Sequence, residues 1–180
     1  MKKNTLIVNL IASPSSGKST LMAGVFSKLK LLNIDCEMAT EFAKELVWEE
    51  RHKTFQDEIY IFGKQQHRIN RLNGQVDVVI TDRPIILTSY YNSKYGDPYN
   101  GLNQLCLNEF KKYRNLNYFV NRKKPYNPNG RNQTEEESDQ IAIELRALLD
   151  TYQIPYTDID GNENGINQVV NNIIKILRRQ

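Results

Sequence analysis

The residues best suited to chemistry stand close to the N-terminus, where Ala12 to Thr20 reads ASPSSGKST. A glycine, a lysine and two hydroxyl residues between an apolar run and a helical pattern form an arrangement that can hold a phosphate. Backbone N–H groups from Ser15, Ser16, Gly17, Lys18 and Ser19 can curl around phosphate oxygens at a helix N-terminus, and Gly17 permits the backbone angles of such a curl. Lys18 then opposes the charge of the β- and γ-phosphates, Ser19 offers a hydroxyl to Mg2+, and Thr20 completes the cradle. The expected ligands are ATP and Mg2+. A serine-rich turn capping a helix is the plainer alternative. Ala12 stands where the pattern G-x-x-x-x-G-K-[ST] has its first glycine, and an alanine there is confined to a smaller range of φ.

Two acids follow at the ends of apolar runs. Val76 to Asp82 reads VDVVITD, and Asp82 is expected beside the Mg2+-bound phosphate. Glu41, in TEFAKE, follows the second run and faces the same cleft if the runs are parallel strands. Either carboxylate could take the proton of an attacking hydroxyl. Turn-capping by Asp82 before Pro84, helix initiation by Glu41 and a surface position for Arg83 are the simpler readings. Trp48, Phe55, Tyr60 and Phe62 lie where an aromatic could stack on an acceptor, although such spacing also suits a core. Gln66, His67 and Arg68 offer polar contacts to an acceptor or form a solvated helix face.

Arg122, Lys123, Lys124 and Arg131 bracket the Pro/Gly/Asn-rich stretch KKPYNPNGRNQ after the fourth run, a cationic segment able to cover a triphosphate. A solvated charge run is the alternative. The fifth run ends in DIDG, Asp158 to Gly161.

The elements that position these residues are legible from periodicity. Thr5 to Ile11, Asp35 to Thr40, Val76 to Thr81, Leu116 to Asn121 and Pro155 to Ile159 are five strand-like runs alternating with helical patterns, as in a parallel sheet with crossover helices. A first helix begins at the lysine turn with Leu21, Met22, Val25, Phe26 and Leu29 on one face. A second spans about 55 to 73 and stops at Gly74. Thr134 and Glu137 have capping-box spacing for a third, and Ile166, Val169, Val170, Ile173, Ile174 and Leu177 form the core stripe of the last. Ser89 to Gly101 and Lys123 to Gln133 read as irregular, and both are expected to be mobile active-site loops.

The 180 residues suit one domain, and 39% hydrophobic with 25% charged residues is an ordinary globular composition. A net charge of +3 falls short of a dedicated nucleic-acid binder without excluding a polyanion. Cys36 and Cys106 show neither metal-site nor disulfide-framework spacing, so a reducing cytoplasmic compartment is expected. The run from Leu6 to Ala12 is too short to span a membrane, and no membrane association is expected.

Taken in order, ASPSSGKST, TEFAKELVWEE, VDVVITDRP, PYNPNGRNQTEEESDQI and IDG resemble the P-loop kinase superfamily. The likeness is greatest to its small branch of nicotinamide-riboside kinase domains and kinase-like bacteriophage proteins, and it runs nearly end to end. Only the first segment is specific by itself, and it departs from the Walker A motif at Ala12. The resemblance implies an α/β fold over residues 1–180: a single P-loop kinase domain whose five-stranded parallel sheet, in the order 2-3-1-4-5, is flanked by helices, with a mobile lid at about 122–134. It implies a kinase that uses ATP and Mg2+ to phosphorylate a hydroxyl. The acceptor varies across relatives among nucleosides, nucleotides, nicotinamide riboside and hydroxymethyluracil in phage DNA, so a nucleic acid is among the partners it admits. The expected catalytic residues are Lys18, Glu41, Asp82, Arg122 and Arg131, and the expected metal ligands are Ser19 and Asp82. The expected nucleotide contacts are Ser15, Ser16, Gly17, Lys18, Ser19, Thr20, Lys124, Asp160 and Gly161, the last two resembling an adenine-contacting loop. A phage-encoded chain would work in the host cytoplasm. The competing class is a P-loop NTPase switch or nucleotide-binding module with no acceptor but water; the sequence has neither an Asn-Lys-x-Asp nor a Leu-Ser-Gly-Gly-Gln motif.

Overall fold

In the computed structural model, which describes residues 3–97, 99, 101–129 and 133–179, the five runs form one parallel sheet. Its strands are β1 (Leu6–Ile11), β2 (Cys36–Ala39), β3 (Val78–Thr81), β4 (Arg114–Asn121) and β5 (Thr157–Asp160), in the order β2-β3-β1-β4-β5. Around them lie α1 (Lys18–Leu31), α2 (Ala43–Trp48), α3 (His52–Phe55), α4 (Glu58–Asn70), α5 (Leu87–Tyr95), α6 (Leu102–Lys111), α7 (Glu135–Thr151) and α8 (Glu163–Leu177).

Helices cover both faces of the sheet, so β1 is buried along its whole length and reads as an almost continuous apolar run. The two-residue period of the strand divides the core. Leu6, Val8 and Leu10 face α1 and α8 through Leu21, Val25, Leu29, Val169 and Ile173, while Ile7 and Ile11 face Ile69, Phe110, Ile141 and Leu145. Asn9 is the polar exception. Its Nδ2 donates to Asn115 Oδ1 and Asn117 Oδ1, each at 2.8 Å, which offsets the cost of burying an amide.

Two local expectations change. The stretch from Ser89 to Tyr95 is helical, because a turn begun at Pro84 (Leu87 N to Pro84 O, 3.0 Å) continues into α5 and buries Tyr90 in the core. The second helix starts at Glu58 rather than Phe55, since Asp57 caps it by accepting from Tyr60 N at 3.0 Å. Beyond Gly101, where no element is expected from the sequence, α6 carries Leu102, Cys106 and Phe110 into the core at four-residue spacing. The capping box at Thr134 and Glu137 forms, and Gly74 takes φ 87 just past the end of α4. Among the described residues no helix is long and apolar enough to cross a membrane.

The arrangement has one consequence for function. Parallel strands bring all their carboxyl ends to one edge, so the chain leaving β1, β2, β3, β4 and β5 delivers Ala12, Glu41, Asp82, Arg122 and Gly161 to the same rim.

Candidate active site

The loop between β1 and α1 is shaped by two left-handed residues, Ser15 at φ 63 and Gly17 at φ 92. Alternation of this kind turns successive N–H groups toward a common point, as in an anion-binding nest. Ala12 is not among the positive-φ residues and is buried in the core, so its methyl group is accommodated without the strain expected at that position. The left-handed conformation falls on Ser15 instead, which the sequence does not announce.

The loop fits a triphosphate on the structure's own terms. Gly17, the N-cap of α1, gives that helix no side-chain cap, and there is no acid in its first turn. Its leading N–H groups and positive dipole end therefore face the loop without a built-in anion. Lys18 Nζ folds back on the loop, donating to the carbonyls of Ala12 at 2.8 Å and Ser13 at 2.9 Å. For Mg2+ the donor set is hard and anionic: Ser19 Oγ lies 2.8 Å from Asp82 Oδ2. An ion that keeps most of its water needs only one or two such protein oxygens, so this pair suffices.

One cavity of about 280 Å3 joins Ser15, Ser16, Gly17, Lys18, Ser19 and Thr20 to Glu41, Asp82 and Arg83. Asp82 is buried and has two tasks. Its Oδ2 accepts from Ser19, and its Oδ1 accepts from the Glu41 backbone N–H at 3.0 Å. Gln65, wholly buried, braces the same turn by accepting from Phe42 N at 3.0 Å. The start of α2 is thus held from both sides. The rest of the cavity wall includes Val47, Phe55, Leu87 and Tyr91. Of the aromatic residues proposed from the sequence, Phe55 reaches this wall, Phe62 is buried in the core and Trp48 is exposed.

Arg83 is not a surface charge. It is 4% exposed, with Nη1 at 3.2 Å from Glu41 Oε1, Nη2 at 3.7 Å from Glu58 Oε2, and its guanidinium carbon 4.3 Å from the centre of the Tyr91 ring. Burial works against its charge, but Glu41, Tyr91 and Glu58 more than offset this and hold its pKa above the ordinary arginine value. Burial raises the Glu58 carboxyl, with Arg83 pulling it partly back, and raises the Tyr91 hydroxyl to about 12. The sequence contains a hint in the Asp-Arg-Pro that ends β3. The two partners lie 42 and 25 positions away in the sequence, and only the fold joins them.

The cationic segment divides. Arg122 pairs with Glu135 at 3.1 Å and Asp139 at 2.5 Å, so it anchors the start of α7 rather than lining the cavity. Lys123 pairs with Asp160 at 3.3 Å. Lys124 and Gly161 line a separate groove with Thr20, Asn162 and Ile166. Arg131 lies outside the described residues. The segment nevertheless touches the loop: Asn127 N donates to Ser15 Oγ at 2.8 Å, Ser138 Oγ donates to Pro14 O at 2.7 Å, and Gln133 lines the cavity. Gly161 has a role that its sequence neighbours do not suggest. A Cβ there would sit 2.3 Å from Ser16 O, so glycine is what lets the end of β5 support the phosphate loop from behind.

No curated protein matches the chain. A family model described as an AAA domain matches residues 7–164, from β1 through the phosphate loop, both carboxylates and the Gly161 turn to the first turn of α8. On that match, with the sheet order and the loop that accompany it, the chain belongs to the AAA domain family and is a P-loop nucleotide-binding NTPase.

Proposed function

We propose that this protein is an ATP- and Mg2+-dependent kinase, working as one unit over residues 1–180, that transfers the γ-phosphate to a hydroxyl of a nucleoside- or nucleotide-like acceptor. The observation that carries the reading is the union, in one cavity, of the phosphate cradle with a carboxylate, Glu41, held by the buried Arg83 beside the apolar wall of Phe55, Leu87 and Tyr91. Water needs no such wall, whereas an organic acceptor does.

In this reading Ser15 to Thr20 orient the triphosphate through backbone N–H groups, and Lys18 turns from the carbonyls of Ala12 and Ser13 to the phosphate oxygens. Ser19 and Asp82 hold Mg2+, which when bound neutralises charge on the phosphate oxygens. Asp82 is committed to Ser19 and to the Glu41 backbone, so the general base is Glu41. It takes the acceptor hydroxyl's proton while Arg83, donating to Glu41 Oε1 at 3.2 Å, holds the carboxylate oriented. Lys124, Asp160 and Gly161 belong to the nucleoside end of ATP, and Arg122 with Arg131 to the closing segment.

The test is product analysis by mass spectrometry with ATP, Mg2+ and a panel of nucleosides, nucleotides, nicotinamide riboside and hydroxymethyluracil-containing DNA. A phosphorylated acceptor is expected. Phosphate release with no phosphorylated acceptor across the panel would replace the kinase by a hydrolase, the second reading, which the family match favours. Lys18→Ala is expected to weaken ATP binding in calorimetry, and unchanged affinity would remove the loop from the site.

A further inference from the structure

The outer edge of the sheet, beside β2, carries a basic feature that the phosphate cradle does not use. Lys64, His67 and Arg68 of α4, with Arg71 at its C-cap, recur at three- and four-residue spacing and therefore share a face. All four line a second cavity, of about 500 Å3, together with Thr40 and Phe42. Among the described residues Glu45 is the only acid in that wall. The segment from Thr40 to Val47 separates the two cavities: Glu41, Lys44 and Val47 face the cradle, and Thr40, Phe42 and Glu45 face the basic side.

Arg68 is fixed in place. Its Nη1 donates to Thr40 O and Thr40 Oγ1, each at 3.0 Å, its Nη2 pairs with Glu45 at 2.7 Å, and its guanidinium lies over the Phe42 ring. Lys64, His67 and Arg71 are exposed around it. One turn before Lys64, Tyr60 is 36% exposed, with Lys64 Nζ 5.4 Å from the centre of its ring. From Tyr60 to Arg71 the stripe runs about 16 Å along the helix.

Complementing the helix's negative end explains His67 and Arg68 in its last turn, but not Lys64. Glu45 offsets the charge of Arg68, whereas Lys64 and Arg71 pair with no acid among the described residues, so the face keeps two uncompensated positive charges. An anion spread along the stripe, with a planar group for the exposed ring, is a nucleic-acid strand: phosphates on the cations and a base on Tyr60. A single strand fits better than a duplex, because only unpaired bases offer a face to an aromatic ring.

We infer that the outer face of α4, from Tyr60 to Arg71, binds the phosphodiester backbone of single-stranded nucleic acid. This goes beyond the kinase reading and does not depend on it, because the assay measures binding without catalysis. Fluorescence anisotropy of a short labelled single-stranded oligonucleotide of mixed sequence, titrated with the full chain at several salt concentrations, gives the affinity and its salt slope. The double variant Lys64→Gln/Arg71→Gln is expected to bind roughly tenfold more weakly, and its salt slope to fall by about 1.4, two phosphate contacts at about 0.7 each. Tyr60→Ala is expected to lose roughly tenfold with no change in slope. Saturating ATP should leave wild-type binding intact, and inorganic phosphate should not displace the strand at equal ionic strength.

Absence of wild-type binding would overturn the inference, as would wild-type affinity and slope in the double variant. Displacement of the oligonucleotide by ATP would place the strand on the phosphate loop instead. Displacement by inorganic phosphate would make the cavity a site for small anions. Tighter binding of a duplex of the same sequence would assign the face to double-stranded nucleic acid.

Discussion

Replacing Arg83 with methionine tests the buried charge cluster on which the proposed acceptor side is built. Methionine keeps an unbranched apolar stem against Tyr91 but removes the cation shared by Glu41 and Glu58. Glu41 is partly exposed and can turn to water, whereas Glu58 is only 7% exposed and cannot. Breaking a buried pair by removing one partner costs about 3–5 kcal/mol. That cost depends on pH. Burial already raises the Glu58 carboxyl in the wild type, and losing Arg83, which pulls it down, raises it further. A carboxyl raised in the folded state contributes stability that is fully present below its unfolded value and is lost as the pH rises through its folded value. The deficit of Arg83→Met is therefore smallest at and below the ordinary carboxyl value of 4.5 and grows as the pH rises above it, by at most about 1.4 kcal/mol per pH unit. Urea denaturation of the wild type, Arg83→Met and Arg83→Met/Glu58→Gln across a pH series spanning that value measures it, and the double variant should lose the pH dependence. A deficit below about 1 kcal/mol at every pH, or one that does not change with pH, would refute the reasoning.

Four further outcomes are expected. Gly161→Ala places a Cβ 2.3 Å from Ser16 O and should cost about 1–3 kcal/mol while weakening ATP binding in calorimetry. Gly63→Ala, in an exposed helical position with nothing within 4 Å, should stabilise the protein by about 0.5–1 kcal/mol and leave ATP binding unchanged. Glu41→Gln should lower kcat by about a hundredfold or more while ATP affinity stays near wild type, and wild-type turnover would remove Glu41 from the base role. Lys94 and Tyr90, by hydrogen bonding, lower the Glu144 carboxyl to about 2 from its ordinary 4.5. Its contribution to stability is therefore present above 4.5 and lost as the pH falls toward 2, and Glu144→Gln should abolish that part of the acid sensitivity seen in denaturation curves.

Legibility followed the range of the forces involved. The strands, α1, α7 and α8 were readable because apolar periodicity and the Thr134–Glu137 capping box are local. The stretch after Ser89 misled because tyrosine and asparagine are weak helix formers. Burial of Tyr90 and Asn92 against the core overrides that preference, and burial depends on what packs there. The break between α3 and α4 turned on one side chain, Asp57, accepting from Tyr60.

By itself the sequence determined the phosphate loop, because the nest, the helix N-terminus and Lys18 are contiguous, and it determined a parallel sheet, because strands buried on both faces must be apolar throughout. It also marked Glu41 and Asp82 as acids at strand ends. Tertiary structure decided what each of them contacts. Ser19 and Asp82 are 63 positions apart and meet because β1 and β3 are neighbours in parallel register. Arg83 became the partner of Glu41 and Glu58 only when three segments closed around it and excluded water, which turns a surface-type charge into a buried one that must be paired.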